Sequence, residues 1–116
     1  MNLRAVLSDK SPEELNSLTF EKVFQVFQDY LHEDEELEVV KVKHGYAVLI
    51  WYDKNQEYTT METFSSPLEL ADFLAAQHEI IHELQLNGHG SRDLTEEEKG
   101  PLLKASQELL AKCFEN

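Results

Sequence analysis

The chain has 116 residues, of which 23 are Asp or Glu and 10 are Lys or Arg, so its formal net charge is -13. This length predicts one domain spanning residues 1–116, and a hydrophobic fraction of 41% is enough for a modest core. The acidity argues against direct nucleic-acid binding and against docking on anionic membranes, since both need a basic surface. The single cysteine, Cys113, and the lack of a secretory leader or membrane span predict a cytoplasmic protein.

The first third of the chain predicts a helix that ends in an acidic run. Residues 11–14, Ser-Pro-Glu-Glu, are typical of a capped helix start, and a second start at Thr19 predicts a short first turn before the main helix. The apolar stripe that follows consists of Phe20, Phe24, Phe27 and Leu31. Carboxylates oppose the dipole at a helix C-terminus, so we expect the helix to stop near His32. We expect the next four residues to be solvated; they are Glu33, Asp34, Glu35 and Glu36.

The middle of the chain changes from helical to strand periodicity. Residues 37–43 are rich in valine, residues 46–53 are the most apolar stretch, and residues 57–64 carry threonine, tyrosine and phenylalanine. The connections between them are too short for the crossovers that parallel strands need. The sequence therefore predicts a three-stranded antiparallel meander.

The last third predicts two helices. A capped start at Ser66-Pro67 opens a helix to about Leu86, with Ile81 and Leu84 on its core face. Thr95 and Glu98 form another capping box, but an interior proline interrupts a helix, so the final helix is predicted from Pro101 to Phe114. The predicted fold is α+β: an N-terminal helix, the meander, and two C-terminal helices packed on one face of the sheet.

One motif carries possible chemistry. Residues 78–82, His-Glu-Ile-Ile-His, match H-E-x-x-H, which on a helix places two histidines on one face. The motif resembles that of the zincin metallopeptidases, and the resemblance implies His78 and His82 as zinc ligands and Glu79 as the general base. A third ligand would come from the following helix, where the candidates are Glu97, Glu98 and Glu108. The simpler interpretation is a pair of boundary histidines beside acidic neighbours.

The sheet offers a second candidate surface. Alternation along the strands puts Tyr52 on one face of the sheet and Leu49, Trp51 and Met61 on the other, and it does not by itself decide which face the helices cover. We expect the helices to cover the face with Tyr52 and to leave the other face uncovered. An uncovered apolar face of this kind is typical of an interface, either with a partner protein or in a homodimer. The alternative is that the N-terminal segment or a helix covers it.

Two acidic clusters complete the candidate binding residues. The first cluster is the run from Glu33 to Glu36, and the second consists of Glu96, Glu97 and Glu98. The stretches YLHEDEELEVVKVKHGYAVLIWYD and SSPLELADFL resemble small acidic accessory and inhibitor proteins of bacterial mobile elements and phages, several of which present carboxylates as nucleic acid presents phosphates. That resemblance implies an anti-defence or regulatory inhibitor. A plain alternative for the clusters is solubility.

We therefore expect a non-catalytic binding protein without a cofactor. Its partner would be a protein with a basic surface, and the specific hypothesis is inhibition of a nucleic-acid-acting enzyme by charge mimicry. The alternative hypothesis is a minimal zinc metallopeptidase.

Overall fold

The computed structural model describes residues 6–88 and 90–115. Its elements are α1 (Pro12–Asn16), α2 (Phe20–Glu33), β1 (Leu37–Val42), β2 (Gly45–Tyr52), β3 (Glu57–Phe64), α3 (Pro67–Leu86) and α4 (Glu96–Lys112). The order confirms the α+β fold and the meander between N-terminal and C-terminal helices. No helix in the described ranges combines the length and apolarity needed to cross a bilayer.

The N-terminal helices begin at the caps that the sequence predicts. The Ser11 hydroxyl accepts the Glu14 N–H, and the Glu14 carboxylate accepts the Ser11 N–H, which closes a capping box. The Thr19 hydroxyl accepts the Lys22 N–H and starts a separate helix. One short turn of helix therefore precedes the main N-terminal helix.

The sheet is antiparallel with strand order β1-β2-β3. Val39 pairs with Val48, and Leu49 pairs with Met61. The register between β2 and β3 shifts after Ile50, where a bulge lies in the pairing. At the first hairpin Gly45 has a φ of 111°, and a Cβ there would collide with the Phe64 carbonyl oxygen. Only glycine fits that position without strain.

The core lies between one face of the sheet and the helices. Fully buried side chains come from the helices and the central strand: Val23, Phe27, Val48, Leu70, Leu74 and Leu110. The strand residues that join this cluster, such as Leu37 and Ile50, share one face of the sheet. The prediction that the helices pack on one face is confirmed for the described residues.

The start of the last helix was wrongly predicted. α4 begins at Glu96, not at Pro101, and the proline lies inside it. The Thr95–Glu98 capping box closes in full and anchors the first turn. Pro101 removes a single backbone bond in the second turn and its ring is exposed. Packing of the downstream residue Leu110 against the core then holds the helix together.

Candidate functional site

The first acidic cluster lines a groove of about 600 Å³ where α2, the β2–β3 turn and the last turns of α3 meet. We call it the acidic groove. It is lined by Tyr30, Glu33, Asp34, Glu35, Glu36, Tyr52, Asp53, Lys54, Ile81, Leu84 and Gln85. The lining of the groove therefore contains five carboxylates and one ammonium group, that of Lys54.

The wall of the acidic groove is apolar. Ile81 and Leu84 were expected in the core, but both are half-buried and line the groove. They lie in the final turns of α3, whereas the fully buried residues of that helix, such as Leu70 and Leu74, lie in its first half. Tyr52, expected on the core side of the sheet, is 42% exposed and lines the groove beside them.

The four acids of the first cluster are not equivalent, which corrects the expectation that all are simply solvated. Asp34 is half-buried and caps α2. Its two carboxylate oxygens accept hydrogen bonds from the Tyr30 hydroxyl at 2.9 Å and from the Glu36 N–H at 3.2 Å. Burial and the nearby Asp34 charge raise the pKa of Tyr30, so its hydroxyl stays protonated as a donor. Glu33, Glu35 and Glu36 are exposed.

The second acidic cluster lies at the same end of α3. Arg92 donates to the Leu86 carbonyl at that helix end and to both carboxylate oxygens of Glu98, at 2.7 and 2.9 Å. The Arg92 pair and the Thr95 N–H lower the pKa of Glu98 to about 2. Glu98 therefore stays ionised and its negative charge is balanced by Arg92 within the fold, whereas Glu96 and Glu97 are exposed.

The first histidine of the H-E-x-x-H motif is bound within the helical layer. His78 Nδ1 is hydrogen-bonded at 2.8 Å to the hydroxyl of Ser106 on α4, a residue with no exposed surface. The Tyr30 ring meets the His78 ring edge-on at 5.3 Å between centroids. Burial, and next the neighbouring His82, lower the pKa of His78. Since these contacts hold α2, α3 and α4 together, His78 has a structural role in the fold.

The rest of the motif also makes local contacts. His82 Nδ1 donates to the backbone carbonyl of His78 at 2.7 Å, and its Nε2 lies 3.8 Å from the Glu33 carboxylate. Glu79 is half-buried, and burial followed by the Glu83 charge raises its pKa. Within residues 6–88 and 90–115, no three His, Cys, Asp or Glu side chains converge as metal ligands. The described residues therefore do not supply the three protein ligands that catalytic zinc uses.

Trp51 lies on the sheet, next to the acidic groove. Its indole N–H donates to the Asp53 carboxylate at 3.3 Å, and its ring meets Tyr58 edge-on at 5.0 Å. Asp53 itself lines the acidic groove. Trp51 is half-buried, so it is a candidate contact residue on a surface that adjoins the groove.

Sequence reasoning missed several residues of these sites. The β2–β3 turn contributes Asp53 and Lys54 to the acidic groove, whereas the sequence predicted Asp53 as the last residue of a strand and Lys54 only as part of a turn. Ser106 had no signal at all, because its role depends on how α4 packs against α3. Cys113 is buried, and burial raises the pKa of its thiol to about 11.

Comparisons with family models, with curated proteins and with solved structures find no match to this chain. The acidic groove and the surfaces around it are therefore the features that indicate a function.

Proposed function

We propose that the protein is a non-catalytic binding protein that inhibits a nucleic-acid-acting enzyme by occupying its cationic site with the acidic groove. The observation that carries this proposal is the combination of five carboxylates with an apolar wall in a groove of about 600 Å³. An acidic face kept only for solubility has no need of such a wall.

The two parts of the groove serve different purposes. The carboxylates of Glu33, Glu35, Glu36 and Asp53 attract Lys and Arg, which bind phosphates in an enzyme that acts on nucleic acid. The wall formed by Ile81, Leu84 and Tyr52 accepts the aliphatic stems of those side chains. Apolar contact adds affinity that salt does not screen, which an exposed ion pair alone does not provide.

The second cluster extends this acidic surface. Glu96 and Glu97 add exposed negative charge near the C-terminal end of α3, which also lines the acidic groove. Glu98 is already paired with Arg92. We therefore assign the main binding role to Glu35 and Glu36, with Asp34 organising the turn that presents them. No cofactor is required. We propose a cytoplasmic location, which is consistent with such a target and with the accessory proteins of mobile elements that the sequence resembles.

The test compares two matched double substitutions. An enzyme captured by the wild-type protein from host extract is purified, and its affinity is measured for wild type and for Glu35→Lys with Glu36→Lys. The control is Glu62→Lys with Glu108→Lys, which changes net charge equally at exposed positions outside the groove. We expect only the groove variant to lose at least about tenfold in affinity, since two attractive contacts become repulsive.

Salt and competition measurements complete the test. Binding should weaken as salt rises from 0.1 to 1 M, because the screening length falls from about 10 Å to about 3 Å. Duplex DNA should displace the protein from the enzyme, because both would occupy the same cations. Equal loss of affinity in both double variants, or simultaneous binding of DNA and protein, would contradict the proposal.

A further inference from the structure

The side of β3 that faces away from β2 carries backbone groups that the sheet does not pair, and we call this side the β3 edge. The Trp51 N–H donates to the Glu36 carbonyl, so the odd-numbered residues of β2 bond to β1. The even-numbered residues from 46 to 50 therefore bond to β3. Met61 and Thr63 are paired with odd-numbered residues of β2, so their N–H and C=O groups point outward. No backbone hydrogen bond from elsewhere in residues 6–88 and 90–115 reaches them.

The described helices leave the β3 edge uncovered along most of its length. Six of the eight residues of β3 are exposed. Phe64, at the end of the strand, is buried where its ring meets Phe73 of α3. The bulge in the pairing with β2 lies near the start of β3, so residues 60–64 form a regular edge. The strand holds neither Lys nor Pro, two residues that discourage strand pairing at natural sheet edges.

The side chains of β3 form an acidic row and an apolar row. The register places Glu57 and Glu62 on the face of the sheet that the helices cover, and both are exposed. Tyr58 and Met61 lie on the opposite face and are 49% and 72% exposed. A strand added along the β3 edge would set its own alternate side chains beside these two rows. Basic residues would match one row and apolar residues the other.

Charge distinguishes the two edges of the sheet. β1 carries Lys41 as well as Glu38, and Lys43 follows it, whereas both charged residues of β3 are acidic. A basic segment is therefore attracted more strongly to β3 than to β1. A second copy of β3 is a poor occupant, because it would bring acidic rows together between two chains that each have a net charge of -13.

We propose that the β3 edge binds an extended segment of a partner protein in which basic residues alternate with apolar ones. The segment adds a fourth strand to the sheet, and its backbone bonds the outward groups of Met61 and Thr63. Its Lys or Arg side chains lie beside Glu57 and Glu62, and its apolar side chains lie beside Tyr58 and Met61. This partner is distinct from the enzyme proposed for the acidic groove, which neither glutamate lines.

The first experiment uses two synthetic peptides of the same composition, both acetylated and amidated. The probe is Lys-Val-Lys-Val-Lys-Val-Lys, and the control is Lys-Lys-Lys-Val-Val-Val-Lys, which cannot place all its lysines on one side of a strand. Amide hydrogen exchange is followed by NMR. At a probe concentration of about ten times its dissociation constant, exchange at Met61 and Thr63 should slow about tenfold. The Glu62 amide, which already faces β2, should change little, and the control peptide should protect none of the three.

A proline substitution tests the backbone bonds. Met61→Pro removes an outward N–H, which a sheet tolerates on an edge strand, and should raise the dissociation constant of the probe at least about tenfold. Met61→Ala keeps that N–H and should change the dissociation constant less than about threefold. Circular dichroism checks that both variants are folded. The exchange measurement on the wild-type chain decides the matter if the proline variant is not.

A charge substitution tests the acidic row. Glu57→Lys with Glu62→Lys should raise the dissociation constant of the probe at least about tenfold. The control is Asp9→Lys with Glu108→Lys, which changes the net charge equally at exposed positions outside β3 and should have less than about a threefold effect.

The contrary outcomes are distinct. Equal affinity for the two peptides, or no protection of Met61 and Thr63 by the probe, overturns the proposal. So does protection of these two amides in a wild-type dimer without peptide, because a second copy would then occupy the edge. Glu35→Lys with Glu36→Lys should affect the probe no more than the control pair does. Failure of the groove proposal therefore leaves this one standing, and the reverse also holds.

Discussion

The Tyr30 hydroxyl donates a hydrogen bond to the Asp34 carboxylate across 2.9 Å and thereby ties the first acid beyond α2 to the core. Tyr30 is 3% exposed, so its ring is fixed by packing. The other oxygen of Asp34 accepts the Glu36 N–H and fixes the turn into β1. The buried Tyr30 side chain therefore fixes Asp34 on one side of the acidic groove. Asp34 in turn fixes the backbone of the turn that carries the exposed carboxylates of Glu35 and Glu36.

The first prediction concerns this hydrogen bond. We expect Tyr30→Phe to lower the free energy of unfolding by about 1–2 kcal/mol, because it leaves a half-buried carboxylate oxygen without its donor. Tyr52→Phe is the control, since Tyr52 is 42% exposed and its hydroxyl has no assigned structural role. Urea denaturation of both variants measures the difference. Equal stability in the two variants would show that the Tyr30–Asp34 bond contributes nothing.

The second prediction separates the acids by their roles. Glu35→Lys with Glu36→Lys should leave the unfolding free energy unchanged or raise it by up to about 1 kcal/mol, because carboxylates near the C-terminus of α2 oppose its dipole. Asp34→Lys should destabilise the protein, since it removes the acceptor for Tyr30 and the cap of the turn. Thermal unfolding of both variants checks the order. The hypothesis of distinct roles fails if the Asp34 variant is as stable as the double variant.

Much of the fold could be predicted from local signals. Caps such as Ser11 and Thr95, and the change from helical to strand periodicity near Leu37, depend on neighbouring residues and appear directly in the sequence. The start of α4 could not be predicted in this way. Tolerance of Pro101 depends on tertiary packing further along the helix, which no local rule contains.

The candidate site was only partly predictable for the same reason. The acidic run was evident in the sequence, but its association with Ile81 and Leu84 depends on how the end of α3 lies against α2. The H-E-x-x-H motif correctly indicates two histidines on one helix face. The contact of His78 with Ser106, 28 positions away, is a product of helix packing and has no local signal.

The third prediction concerns pH. Burial lowers the pKa of His78 below its ordinary value of 6.5 in the folded chain. Just below pH 6.5 the unfolded chain therefore binds more protons than the folded one. The stability that neutral His78 contributes is complete above pH 6.5 and is lost as the pH falls from there through the lowered pKa. We expect His78→Asn to flatten this part of a plot of unfolding free energy against pH.

Two controls isolate the effect of His78. Glu79 acts with the opposite sign, because its raised pKa means that the cost of its buried charge disappears as the pH falls. Measurements in a Glu79→Gln background remove that contribution. Ser106→Ala should cost about 1–2 kcal/mol at pH 7, since it leaves His78 Nδ1 without a partner. Curves of the same shape with and without His78 would contradict the assignment.

The fourth prediction concerns zinc. His78 Nδ1 and His82 Nδ1 are both engaged by oxygen atoms, and the described residues bring no third ligand to them. We therefore expect purified protein to hold less than stoichiometric zinc after dialysis, measured by atomic absorption. His82→Ala should change neither the zinc content nor the thermal unfolding curve markedly, because His82 is only partly buried.

Zinc at one ion per chain, lost in both His78→Ala and His82→Ala, would show a metal site. Peptide hydrolysis that also disappears in Glu79→Gln would establish the metallopeptidase alternative, because that substitution removes the general base and leaves both histidines in place.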